Sequence, residues 1–386
     1  MKPPSPFAVC VAAATALAVA MGVGRFAFTP MLPLMVRDGG LDMAASPYLA
    51  AVNYLAYLVG GLTAARVPWA PATLARASLL GVAAVTAAMG ATASLGLWLI
   101  LRGLAGLFSG WALVGVSTWA LSELASLGRP RLAAVVYAGV GTGLALAGLF
   151  CLLAARPGIP AARLWLELGG LTLAALVAPL ILLRGGPGSS PTRPVRPGGA
   201  RETRDLRLLT LAYGIFGFGY ILPATFLPAL ARQIVDDPAI FGLVWPLFGA
   251  AAALSTLVAG AGWIQANRLQ AWAICHGLMA CGALLPALHP SEAGLAVSAL
   301  LVGGTFVVVT MLGMQEARLR SPDHAAAALS RMTGAFALGQ LAGPLAVSLL
   351  PSDGAGLDLG LTIAGLALLA TVPLLWRLSL APRIRS

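Results

Sequence analysis

Twelve mostly apolar stretches, each about long enough to cross a bilayer, follow one another along the 386-residue chain. They run over roughly 7–35, 47–66, 73–92, 96–124, 132–155, 163–183, 207–231, 240–262, 270–288, 293–316, 326–349 and 357–378. A membrane helix needs ~20 such residues. With 59% hydrophobic and 10% charged residues, no soluble fold of this length hides the apolar surface. The expected fold class is therefore all-α integral membrane, with 12 transmembrane helices. Short turn signals such as LGRPR, RPGIP and HPSE separate the runs. One connection, 184–206, is long and rich in Pro, Gly and Arg, which predicts a flexible linker. The first run continues past any cleavage site, so it reads as an uncleaved helix.

The net charge is +11. In a soluble chain that balance points to nucleic acid; here the topology rule accounts for it. Starting from a cytoplasmic N-terminus, 18 of the 24 basic residues fall on the cytoplasmic side. Arg37, Arg156, Arg163 and Arg232 fall on the other, and Arg25 and Arg102 lie inside runs. The expected topology is N-in, C-in. Lys2 is the only lysine in a chain rich in Ala, Gly and Arg, a composition typical of a GC-rich bacterial genome. The four cysteines, Cys10, Cys151, Cys275 and Cys281, lie in apolar runs without metal-ligand spacing and read as buried small hydrophobes.

The chain repeats itself. GVGRFAFTPMLP, beginning at Gly22, matches GFGYILPATFLP, beginning at Gly217, at an offset of 195. The same offset relates Gly139 to Gly334 and Gly148 to Gly343, and Glu123 stands 193 residues before Glu316. Six spans per copy make the copies parallel, related by an axis along the membrane normal. The expected units are 1–183 and 207–386, two six-helix bundles joined by 184–206.

Twelve spans, a basic central loop and a parallel repeat resemble the major facilitator superfamily over essentially the whole chain. GVGRFAFTPMLPLM resembles the first-helix signature of its YbfB/YjiJ-type family, and Arg102-Gly-Leu-Ala-Gly106 is similar to the superfamily's helix-4 motif. The chain departs from the pattern in two places. GGLTAARVPWAP lacks the Asp of the helix 2–3 loop, and the fifth span lacks the Gly-Pro motif of antiporters. The resemblance implies that helices 1, 4, 7 and 10 line a central cavity, flanked by 2, 5, 8 and 11. It also ties Arg102, expected near the outer end of helix 4, to proton coupling; anchoring of that helix by snorkelling or a salt bridge is the other reading.

Arg25 heads the candidate residues. A guanidinium inside an apolar run costs about 3 kcal/mol on insertion scales and normally faces a watery cavity or a partner. On an α-helix Gly22, Thr29 and Pro33 share its face, which suits a solvated pocket holding a carboxylate or phosphate. Pairing within the protein, or with broken backbone near Pro30 and Pro33, is the alternative. Tyr220 takes the equivalent position in the second repeat. Asn53 and Tyr57 share a face of helix 2, and Gln340 is the long amide of helix 11; interhelical bonding and substrate contact are both open to them. Trp119, Tyr137 and Thr310 are weaker candidates of the same kind. Glu123 and Glu316, with Arg66, Arg131, Arg318 and Arg331 nearby, read as gate pairs or as static helix-end pairs. Glu167 and His276, on outer helices, read as structural. The glycines of the fifth and eleventh spans fall in small-xxx-small spacing for close helix packing.

The expectation is a secondary transporter of a small anionic organic solute in a bacterial inner membrane, working as a monomer by alternating access. It needs no cofactor or metal, is not an enzyme and does not bind nucleic acid. A proton or another ion is the expected coupling partner, although no Asp or Glu stands mid-membrane on a cavity helix. Efflux of amphipathic compounds is the alternative within the class. A membrane enzyme or a non-transporting sensor is the alternative outside it, but the three well-separated histidines form no catalytic cluster.

Overall fold

The computed structural model describes residues 4–42, 45–154, 158–184, 204–234, 238–348 and 354–380, with side chains omitted for 226–242, 348, 354, 355 and 357. Most of the expected 184–206 linker lies outside the described residues, as do Lys2, Arg156 and the side chain of Arg232 from the topology assignment.

Among the described residues the regular structure is helical. The first half holds α1 (Pro6–Arg37), α2 (Ser46–Arg66), α3 (Pro71–Met89), α4 (Leu95–Ser126), α5 (Pro130–Ala154) and α6 (Ala161–Leu182). The second holds α7 (Arg204–Ile234), α8 (Pro238–Val258), α9 (Arg268–Leu288), α10 (Glu292–Arg320), α11 (Ala325–Ser348) and α12 (Gly354–Leu380). Ten of these helices carry a stretch long and apolar enough to cross a membrane; α8 and α11 do not reach that level over their described residues. In α11 the cause is visible in sequence, since Arg331, Gln340 and three glycines dilute its apolar residues.

The outward side chains are aliphatic, among them Leu146, Leu153, Leu254, Leu300 and Leu366, as a lipid-facing surface requires. Cys281 is part of that surface and Cys275 is half-buried, so only Cys10 and Cys151 are the buried thiols the sequence led us to expect. Small residues set the helix spacing. A β-carbon at Gly22 would overlap the backbone of Gly143, and one at Gly139 would overlap that of Ala14, so α1 and α5 touch backbone to backbone. The second repeat does the same between α7 and α11, where Gly217 faces Phe336 and Gly339 faces Gly214. Across the chain's midpoint, α5 lies along α8 and α2 along α11.

Two local features position the functional residues. The middle of α1, Ala18–Phe26, is wound as a π-helix between two α-helical ends. Wide turns of this kind recur at functional sites because they rotate side chains off the α-helical register. The second feature is the end of α4. Gly128 adopts a left-handed φ of 67°, and the amides of Gly128 and Arg129 return to the carbonyls of Ala125 and Leu124. This Schellman cap closes α4 and aims Arg129-Pro130-Arg131 into α5.

Candidate functional site

Arg25 sits in the wide-turn segment of α1 with 3% of its surface exposed. Its guanidinium carbon lies 3.8 Å from the centre of the Tyr57 ring on α2, with Phe26 at 5.1 Å and Tyr54 at 5.7 Å. Its Nη2 donates to Oε1 of Gln340 on α11, which joins positions 315 residues apart. Its Nε and Nη1 make no hydrogen bond among the described residues. Three residues singled out from sequence, Arg25, Tyr57 and Gln340, therefore meet between the two halves.

Arg102 of α4 lies directly behind, 4% exposed. Its Nη1 donates to the carbonyl of Gly24 (3.4 Å) and its Nη2 to that of Arg25 (3.2 Å), with its guanidinium 4.7 Å from the Phe28 ring. Ser109, two turns further along α4, donates to the Ala20 carbonyl at 2.8 Å. Helix α4 thus supplies side-chain donors to backbone carbonyls of the wide-turn segment and fixes its shape. Arg102 is turned inward onto these carbonyls and forms no salt bridge among the described residues. Asn53 donates from Nδ2 to the Arg102 carbonyl at 2.9 Å, an interhelical bond between α2 and α4. Thr29 is half-buried and makes no side-chain hydrogen bond among the described residues. α-Helical spacing puts it on the face of Arg25, and the π-helical segment changes that angular step.

The second half supplies an aromatic wall. Tyr220 is fully buried and stacks on Phe306 of α10, ring centres 4.8 Å apart and planes 20° apart. Phe306 reaches Phe26 of the first half at 6.5 Å, and Phe26 reaches Trp245 of α8 at 6.3 Å. Trp245 and Phe248 stack at 5.5 Å. The Tyr57 and Tyr220 hydroxyls, Trp245 Nε1 and Gln340 Nε2 are all buried and make no hydrogen bond among the described residues. Sequence reading missed Phe26, Trp245 and Phe306. Their signal in the sequence is their place on cavity-lining or flanking helices, which apolar residues of the core share.

Neither Arg25 nor Arg102 has an ion pair among the described residues. Two positive charges thus share an apolar enclosure without a carboxylate, an arrangement normally costly unless an anion is accommodated. The guanidinium of Arg25 is enclosed by side chains rather than lining the open hollow expected from sequence. Cavities of about 720 Å³ (between α1, α5 and α6) and about 250 Å³ (between the ends of α4, α5, α9 and α10) both lie elsewhere. No group of His, Cys, Asp and Glu among the described residues is arranged to hold a metal.

The family model for uncharacterised MFS-type transporters of the YbfB type matches residues 17–375. The chain belongs to this family. No curated protein gives a match. Among solved structures, the human organic anion transporter MFSD10 (TETRAN) is similar with a TM-score of 0.72 and 17% sequence identity, covering 96% of this chain and 100% of that one. At that identity the likeness establishes the shared fold. The protein is a multi-pass membrane transporter of the major facilitator type, and not an enzyme.

In this transporter the two expected gate carboxylates behave differently. Glu316 accepts from Arg268 of α9 at 2.6 Å and from Arg320 at 3.3 Å, and Arg320 also reaches Asp205 at 3.5 Å. Those partners belong to the second half, and neither Arg131 nor Arg318 is among them. Glu123 is 3% exposed and makes no ion pair among the described residues, and Arg66 is exposed.

His276 and Glu167 hold structural positions. Trp272 Nε1 donates to His276 Nε2 at 2.7 Å, which leaves the proton on Nδ1 to donate to Thr371 Oγ1 at 2.6 Å. Thr371 in turn donates to the Leu368 carbonyl, so a neutral imidazole is satisfied at both nitrogens. Glu167 pairs with Arg163 one turn away at 2.7 Å. Of the weaker candidates, Tyr137 donates to Ser117 at 2.7 Å, Trp119 to the Arg184 carbonyl at 3.0 Å and Thr310 to the Phe306 carbonyl at 2.9 Å.

Outside the spans, Arg37 donates to Asp38 at 2.8 Å and to the Ile159 carbonyl at 2.7 Å, while Asp38 Oδ2 accepts from the amide of Ala161 at the start of α6. The hydrogen bond from Arg37 is the main reason the Asp38 carboxyl stays below the usual carboxylate range.

Proposed function

We propose that this transporter carries a small organic anion across a bacterial inner membrane by alternating access. The supporting observation is the buried Arg25 guanidinium, which among the described residues has two nitrogens without a hydrogen bond and a neutral amide oxygen in place of a counter-ion. A carboxylate or phosphate accepts from a guanidinium through paired, charge-assisted bonds about twice as strong as neutral ones. Such a group outcompetes Gln340 for Arg25. In doing so it releases a link between α1 and α11, and with it a restraint between the halves 1–183 and 207–386. The halves then rock about α2–α11 and α5–α8. Twelve crossings with both termini in the cytoplasm fit this scheme.

The aromatic residues Phe26, Trp245, Phe306 and Tyr220 suit an apolar or ring-bearing body attached to the anionic group. That the similar human structure is an organic anion transporter agrees with this reading. With no carboxylate beside Arg25 or Arg102 among the described residues, a coupled proton travels on the substrate or through Glu316. The same aromatic wall favours a second reading, efflux of amphipathic compounds with Arg25 in a structural role. Uptake into proteoliposomes of a panel of aromatic and aliphatic carboxylates, beside neutral and cationic amphipaths, separates the two. Anion-selective uptake that disappears in Arg25→Ala supports the first, and unchanged uptake in that variant rejects it.

A further inference from the structure

We infer that the basic cavity between the ends of α4, α5, α9 and α10 is a second anion site, one that takes a phosphate group and clamps the two halves together on that face. The cavity, about 250 Å³, is bordered by Arg131 at the start of α5 and by Arg268 and Arg318 of the second half. Arg268 is committed to Glu316 and to the Gln265 carbonyl. Arg131 and Arg318 have no carboxylate partner among the described residues. Each reaches across the divide. The guanidinium of Arg131 lies 3.7–3.8 Å from the point where a β-carbon would stand at Gly262, so it rests flat against the connection before α9. Arg318 Nε faces Ser122 Oγ of α4 at 3.5 Å, a long bond that a charged acceptor replaces readily. Gln315, 6% exposed and part of the cavity wall, has an Oε1 with no hydrogen bond among the described residues, free to accept from a phosphate O–H.

The internal repeat shows that the fold does not require this cavity. At the offset of 195, Arg131 corresponds to Ala326. There Ala65, Ala326 and Ala327 pack into a small apolar cluster that joins α2 to the start of α11. One junction is closed by methyl groups, and its counterpart is open and cationic. A phosphate bridging Arg131 and Arg318 would neutralise both and link first half to second. Inorganic phosphate and a lipid headgroup share this chemistry, since basic pockets between membrane helices also hold anionic headgroups.

The test follows thermal unfolding of the purified full-length transporter by tryptophan fluorescence. One arm titrates inorganic phosphate against chloride at matched ionic strength. The other compares nanodiscs of phosphatidylcholine with and without phosphatidic acid. The expected result is a saturable rise in midpoint beyond chloride. Apparent phosphate affinity falls at least ~10-fold in Arg131→Gln and in Arg318→Gln, from loss of charge-assisted bonds. Arg131→Lys, which keeps the charge and guards against a folding defect, retains part of the rise. Arg25→Ala retains the part of the rise that depends on Arg131 and Arg318, so the central site is told apart from this one. A rise with inorganic phosphate assigns a soluble anion, and a rise only in phosphatidic acid discs assigns a lipid. No rise in either arm, a rise that survives both glutamine variants, or one abolished by Arg25→Ala overturns the proposal.

Discussion

Arg102 donates a hydrogen bond to the backbone carbonyl of Arg25 at 3.2 Å, while the guanidinium of Arg25 is turned to Gln340 on α11. The two buried arginines therefore divide the work. Arg102 is consumed in holding α1 in its wide-turn shape, and that shape presents Arg25 between the halves. Because the segment is held by side chains of α4, the two roles are separable by mutation.

Removing Arg25 is expected to abolish anion transport while the protein still inserts. Two charge-assisted bonds are lost, which predicts a drop of ~100-fold or more in kcat/KM for Arg25→Ala. Arg25→Lys keeps the charge but not the planar fork, and should lose ~10-fold or more. Proteoliposome uptake, with membrane yield as the control for insertion, checks both.

Gln340→Glu gives Arg25 an internal counter-ion. The new carboxylate competes with substrate, so affinity should fall by more than ~10-fold. The same ion pair ties α1 to α11, and the thermal midpoint should rise. Lower affinity with higher stability is the diagnostic combination, read by substrate binding and thermal unfolding on one preparation; unchanged affinity would remove Gln340 from the site.

Arg102→Ala leaves the Gly24 and Arg25 carbonyls without these donors. Each unsatisfied buried group costs ~1–3 kcal/mol, so a clear loss of stability is expected. If Arg102 anchors and does not couple protons, the pH dependence of residual transport should match that of the parent. A flattened pH profile in Arg102→Ala would assign it the coupling role instead.

Asp38 predicts a pH effect on the loop that ties α1 to α6. Its folded pKa lies below the unfolded value, so its contribution is present above the ordinary carboxylate range and is lost as pH falls through the folded pKa. Asp38→Asn should lower stability at neutral pH and flatten stability between neutral and pH ~3 relative to the parent. Thermal unfolding across that range measures it. The effect is small, because Arg37 and Asp38 are partly exposed.

Much of the architecture could be read from the chain. Apolar length limits a lipid-solvated segment to a helix, and the offset of 195 relates two copies without any contact being known. The close approaches at Gly139 and Gly339 follow the same logic, since only a missing side chain lets backbones meet, whereas Gly22, expected to face a solvated pocket, meets the backbone of Gly143 instead. Arg25 was conspicuous for the same reason of cost: a charge in an apolar run needs an explanation wherever it points.

Sequence alone settled that this chain is a helical membrane protein with a duplicated plan and an arginine where lipid tolerates none. Those properties depend on composition and spacing, which act locally. What Arg25 touches was decided by the tertiary structure. The wide turn of α1 is stabilised by donors from α4, the Gln340 oxygen arrives from a helix 315 residues away, and the aromatic wall combines rings from α1, α7, α8 and α10. The open cationic junction at Arg131, set against the alanine-filled junction at Ala326, likewise depends on packing between halves. No periodicity within one helix encodes which residues of another will face it.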